Sequence, residues 1–109
     1  MKISELAEKT GLKPINPYTD KEVDGVYISD MVSDIITGAK PNGILVTLQT
    51  HKSLIAAANL VDVAMIVIVK GKVPAEDVVA LANKAGIALF VSTDDAWTYA
   101  RKLTDLGLK

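Results

Sequence analysis

The chain of 109 residues contains one histidine and no cysteine. Thiolate catalysis, disulfides and Cys- or His-cluster metal sites are therefore excluded within one chain. The remaining polar side chains with chemical potential stand out most at Thr47-Leu48-Gln49-Thr50-His51. Thr47 interrupts an aliphatic run, and Gln49, Thr50 and His51 stand where a helix begins, with Lys52 next. Free backbone N–H groups at a helix start, flanked by His51 and Lys52, suit a phosphate or a carboxylate. The plainer alternative makes Thr50 an N-cap and His51 a solvated side chain. A catalytic His51 needs an orienting carboxylate, which Asp30 or Asp94 could supply, and a nucleophile. No nucleophile-elbow pattern accompanies it.

Other polar clusters carry weaker signals. Lys70-Gly71-Lys72 can grip an anion, but it also reads as an ordinary turn after a buried strand. Neither G-x-G-x-x-G nor G-x-x-x-x-G-K-[ST] occurs. Ser29-Asp30 and Thr93-Asp94-Asp95 read as helix starts. Trp97 and Tyr99 read as core or interface. The opening Ile3 to Leu12 looks like the first helix and turn of a helix-turn-helix protein, but Pro14 and Pro17 forbid the recognition helix that should follow.

These residues need elements to position them. Ile3 to Thr10 reads as a helix with Ser4 as N-cap and Gly11 as its stop, and Leu12 to Ile15 as extended. Val23 to Ile28 reads as a strand. Ser29 or Asp30 then caps a helix to Thr37, with Met31, Val32, Ile35 and Ile36 on its apolar face and Gly38 at its end. Ile44 to Leu48 is the next strand, and Thr50 or Ser53 begins a helix through Leu60. Val63 to Val69 is uninterrupted and apolar, as in a parallel strand covered on both faces. Pro74 takes the first position of a helix that Gly86 ends. Ile87 to Val91 is the last strand, and Thr93 caps a helix with Ala96, Tyr99, Ala100 and Leu103 inward. Strand and helix thus alternate about four times. That pattern predicts an α/β fold, a three-layer α/β/α sandwich with a mostly parallel sheet of four or five strands. Ligands of such sheets bind beyond the carboxyl ends of the strands, where Asp30, Thr47, Gln49, Thr50, His51 and Thr93 should share one rim.

Composition agrees with one domain over residues 1–109. Hydrophobic residues make up 50% and aromatics only 5%, so the core must be aliphatic. Lys plus Arg number 12 against 13 Asp plus Glu, without the basic excess that drives nucleic-acid or anionic-membrane binding. No segment reads as a signal peptide or membrane span, which makes the cytoplasm the expected location. A mean hydropathy of +0.29 is high for a small monomer and predicts an apolar face buried by a second copy.

Gly25 to Asp34, Ile44 to His51, the Pro74-Ala75-Glu76-Asp77 helix start, Val91-Ser92-Thr93 and Lys102 to Gly107 together resemble the DRTGG domain over nearly the whole chain. The resemblance is closest to stand-alone versions near iron-only hydrogenase genes. Related domains accompany CBS-containing pyrophosphatases, phosphotransacetylases and HPr kinase/phosphorylase. It implies a three-layer α/β/α sandwich and an accessory, regulatory or dimerising role without catalysis. Where the family carries Asp-Arg-Thr-Gly-Gly, this chain places Gln49-Thr50-His51-Lys52-Ser53.

The resulting expectation is a non-catalytic regulatory domain without a cofactor, a homodimer with a small anionic or nucleotide ligand. Asp30, Thr47, Gln49, Thr50, His51 and Thr93 are its candidate contacts. The rival is a docking module for a larger enzyme, hydrogenase-linked or phosphotransfer, using Leu54, Ile55, Ala58 and Leu60. An enzyme hydrolysing phosphate esters with His51 and Asp30 ranks third.

Overall fold

The computed structural model describes residues 1–109. Helix α1 (Ile3–Thr10) and the short strand β1 (Lys13–Pro14) precede four strand-helix units. These are β2 (Val26–Ile28) with α2 (Val32–Gly38), β3 (Ile44–Thr47) with α3 (Lys52–Val61), β4 (Met65–Ile68) with α4 (Glu76–Ala85), and β5 (Ala88–Val91) with α5 (Ala96–Asp105). The sheet runs β1-β5-β4-β3-β2; β2 to β5 are parallel, and β1 joins β5 antiparallel.

The strand order decides where the helices go. From β2 to β5 each crossover steps one place the same way, so connections of one hand place α2, α3 and α4 on one face. There Ile35, Leu54, Val78 and Ala82 pack on Leu45, Ile66, Ile68 and Leu89. After β5 the chain turns to the opposite face. Tyr99 and Leu103 of α5, with Ile3 and Leu6 of α1, cover Val46, Met65, Val67 and Phe90 there. Alternate residues of each strand thus serve opposite cores, as the period of two requires. All of Val63 to Val69 is buried. No helix is long and apolar enough to cross a membrane.

Gly11 and Gly86 end α1 and α4 in the left-handed region, at φ 70° and 72°, as expected of C-terminal glycines. The starts differ from expectation. Lys2, not Ser4, is the N-cap of α1, and Asp20 of the following loop accepts from the Ser4 N–H at 3.0 Å. Met31 precedes α2, while Ser29 Oγ accepts from the Met31 N–H at 3.3 Å. His51 caps α3 and Asp95 caps α5, in place of Thr50 or Ser53 and Thr93. Pro74 lies just ahead of the Ala75 N-cap of α4. Strand β2 begins at Val26 and not at Val23. Of the apolar face assigned to α2 only Ile35 is fully buried; Met31 is 64% and Ile36 41% exposed. This helix lies over β2, an edge strand, so one side has no sheet beneath it. Gly38 belongs to α2 itself and is needed for close approach: a Cβ there would collide with the Tyr27 hydroxyl.

Beyond Pro14 the β1 edge is continued by a side chain. Asn16 Nδ2 donates to the Ile87 carbonyl at 2.9 Å, and its Oδ1 accepts from the Leu89 N–H at 2.9 Å. One carboxamide thereby satisfies the Leu89 N–H of β5 and the Ile87 carbonyl just ahead of it, neither of which β1 reaches. Asn16→Leu leaves both groups buried without partners, and the variant should unfold about 2–4 kcal/mol more easily in denaturant titration.

Candidate functional site

The polar ends of β2 to β5 lie on one edge of the sheet because these strands are parallel. Along it a continuous hydrogen-bonded chain crosses from β2 to α3. Asp30, leaving β2, turns its carboxylate toward β3, where Oδ1 accepts from Thr47 Oγ1 at 2.9 Å and the Leu48 N–H at 2.7 Å. Thr47 is buried at the end of an aliphatic strand, so its hydroxyl requires such a partner. Its Oγ1 accepts in turn from the Gln49 N–H at 3.0 Å. The Gln49 carboxamide spans the next gap, with Nε2 donating to the Asp30 carbonyl at 3.4 Å and Oε1 accepting from the His51 N–H at 3.0 Å.

His51 completes the chain. Its Nδ1 accepts from the Ser53 N–H at 3.2 Å and lies 3.1 Å from Ser53 Oγ. Nδ1 must be unprotonated to accept, which assigns the ring proton to Nε2. The imidazole thus does what Ser or Asp ordinarily does at an N-cap. Asp30, Thr47, Gln49 and His51 form one network. Thr50 sits within the same loop but makes no side-chain bond. Thr93 shares the edge but follows β5, two strands from β3 and so roughly 10 Å away. No hydrogen bond joins His51 to Asp30, whose Oδ1 is committed to Thr47 and Leu48.

The connections after β4 and β5 lead to opposite faces, and such a divergence opens a crevice between strand ends. Here the protein's own backbone closes it. Lys70 N–H donates to the Asp94 carbonyl at 2.7 Å, and Gly71 N–H to the Ser92 carbonyl at 2.8 Å. Lys70 and Gly71 are left-handed, at φ 62° and 66°, a conformation that turns both N–H groups to the β5 loop. Lys102 of α5 pairs with Asp94 at 2.7 Å. Sequence reading placed these loops on the rim but not their mutual closure, for no residue pattern reports backbone pairing between two turns. None of the five principal surface hollows is lined by Asp30, Thr47, Gln49, Thr50, His51 or Thr93.

Beside the rim, Ser29 and then Tyr27 hydrogen bond Asp34 and hold its carboxyl below the usual range, and the Tyr27 phenol is pushed up by the same contact. The Tyr27 hydroxyl donates to Asp34 at 2.9 Å. The Asp95 carboxyl is lowered by the backbone N–H of Thr98, which it caps at 2.7 Å. In the core beneath α1 and α5, burial raises the Tyr99 phenol to about 12, and its hydroxyl lies 3.0 Å from Thr10 Oγ1.

The sequence matches the family model of the DRTGG domain over residues 5–106. The chain belongs to the DRTGG domain family. A solved structure of similar fold is the CBS and DRTGG regulatory region of a Clostridium perfringens pyrophosphatase, complexed with its activator diadenosine tetraphosphate. The TM-score is 0.74 at 15% identity, over 93% of this chain and 45% of that one. This chain therefore spans less than half of that regulatory region, and the likeness establishes the fold. Among curated proteins none matches. The three-layer α/β fold implied by the family resemblance is the fold observed.

Two outcomes test the rim geometry. A double-mutant cycle of Asp30→Ala and Thr47→Val should return a coupling of about 1 kcal/mol, since each change removes the same bond. Asp34 and Asp95 have lowered folded pKa values, so their contribution is complete above their unfolded value, near 3.8, and is lost as pH falls through the folded one. Asp95→Asn should therefore flatten the fall in melting temperature below pH 4, with little change at pH 7 because Asn also caps helices.

Proposed function

We propose that this chain is a non-catalytic regulatory domain that self-associates and takes a small anion or nucleotide at the rim formed by Asp30, Thr47, Gln49, Thr50 and His51. The observation that carries this reading is the bonded network that runs from β2 into the first turn of α3. It fixes the polar loops ahead of a helix N-terminus in a molecule otherwise devoted to aliphatic packing. Family membership supports a regulatory role, and the pyrophosphatase region of like fold is regulatory and was solved with a nucleotide activator. Thr93 lies beyond the closed β4–β5 loops and would serve only a ligand long enough to span them. Phosphate-ester hydrolysis by a His51–Asp30 pair has no support in the geometry, because each side chain is engaged elsewhere.

A second reading, a docking module without a ligand of its own, is favoured by the five principal hollows all lying away from the rim residues. The surface first assigned to it requires correction. Leu54, Ile55 and Ala58 are buried beneath α3 against the chain's own sheet, and Leu60 alone of that set is available. The exposed side of α3 carries Ala56 and Leu60.

Thermal shift against inorganic phosphate, mononucleotides and dinucleoside polyphosphates separates the readings. A ligand at a hundredfold excess over its dissociation constant should stabilise the fold by about 2.7 kcal/mol, roughly 10–20 °C for a domain of this size. Gln49→Ala and His51→Ala should reduce that shift. No shift with any of these compounds leaves the docking module as the function.

A further inference from the structure

Resting on the self-association just proposed, we infer that a second copy of this chain packs face to face on helices α3 and α4, related by a two-fold axis that crosses both helices. The axis passes near Ala56, Ala80 and Leu81, and the two α4 helices run antiparallel.

The placement follows from what the outer face presents. Both helices follow parallel strands and so point the same way. Lys52 Nζ lies 3.7 Å from Asp77, so the first turns of the two helices lie level. On α4 the outward residues recur every fourth position: Glu76, Ala80, Lys84, all exposed. On α3 the corresponding stripe is Lys52, Ala56, Leu60, also exposed. Leu60 is 71% and Leu81 37% exposed. A shallow groove of about 310 Å³ runs between the helices, its floor lined by Ile55, Ala56, Leu81 and Ala85 and its rim by Lys52, Asn59 and Lys84. Small side chains at the middle of both stripes permit close approach, with Leu60 one turn beyond Ala56 and Leu81 beside Ala80.

The charges choose the orientation. Glu76 begins α4 and Lys84 stands two turns later, and neither makes an ion pair within the chain. An antiparallel superposition about Ala80 sets Glu76 opposite the partner's Lys84, twice per dimer, and opposes the helix dipoles. A parallel superposition of α4 on its copy sets like charges together and aligns the dipoles. Leu81, one residue from the axis, meets the partner's Leu81 across it. A standard interface buries about 800 Å² per partner, on the order of the whole largest face of a body measuring 32 × 26 × 24 Å, so the dimer must cover the α2–α4 layer nearly throughout. The same layer adds Ile36 of α2, which is 41% exposed.

Sedimentation equilibrium of the full chain tests this. The wild type should be dimeric at micromolar concentration. Lys84→Glu should raise the dissociation constant about tenfold or more, and adding Glu76→Lys should return it to within about threefold of wild type. Leu81→Asp should abolish the dimer, and Trp97→Ala, on the opposite layer, should leave it intact. Circular dichroism checks that each variant folds. A dimer that withstands both Lys84→Glu and Leu81→Asp overturns this interface while self-association stands. Failure of the charge swap to restore Lys84→Glu overturns the antiparallel arrangement. A wild type that remains monomeric at ~100 µM removes both the interface and the self-association.

Discussion

Parallel strands whose side chains are apolar in both directions must be covered on both faces. That constraint is met here by β4. Its neighbourhood from Val63 to Val69 is buried throughout, with Val67 turned to one core and Ile66 and Ile68 to the other. Two helical layers are therefore obligatory. The strand order β5-β4-β3-β2 assigns three helices to one layer and leaves the other to α5, with α1 beside it. The polar edge, the closed gap between the β4 and β5 loops and the outward face of α3 and α4 are all consequences of that assignment.

The elements were legible in the sequence because their periods are written over many residues. The run from Val63 to Val69 identifies a doubly covered strand without reference to anything distant, and Gly11 and Gly86 mark their helix ends by backbone conformation alone. Helix starts were less legible. Ser4, Thr50 and Thr93 are good caps by type, yet the cap of each helix lies one or two residues away from the residue expected to serve. A cap is decided by which acceptor meets a free N–H. Asp20 does so at α1 from a loop sixteen residues on, and His51 at α3 with a ring nitrogen. Neither is encoded in residue type. The extent of burial on α2 was likewise unreadable, because it depends on β2 lying at the sheet edge.

The candidate site shows the same division. Residue type and position past the strand ends gathered Asp30, Thr47, Gln49 and His51, which the structure joins by hydrogen bonds. What sequence could not supply is the direction in which each side chain spends its bonding capacity. The Asp30 carboxylate faces inward to Thr47 and Leu48, and the His51 Nδ1 faces its own helix. Thr93 was grouped with them because parallel strands share an edge, but an edge is a line and not a point. The loops that intervene after β4 are bonded to the β5 loop and separate the two ends of that line.

The rim and the outer helical face are not independent surfaces. His51 is the last member of the rim network and the cap of α3, and the next residue, Lys52, reaches across to Asp77 in the first turn of α4. A ligand that takes a hydrogen bond from the Ser53 N–H must displace the imidazole. One that binds the Gln49 carboxamide must compete with the His51 N–H or the Asp30 carbonyl. Either exchange acts on the first turn of α3, the turn from which Lys52 reaches toward Asp77. Rotating that turn re-aims Lys52 and Ala56 together, since residues four apart lie on one side of a helix. The rim network thus ends on the same helix whose outer side carries Ala56 one turn further on and Leu60 two turns on.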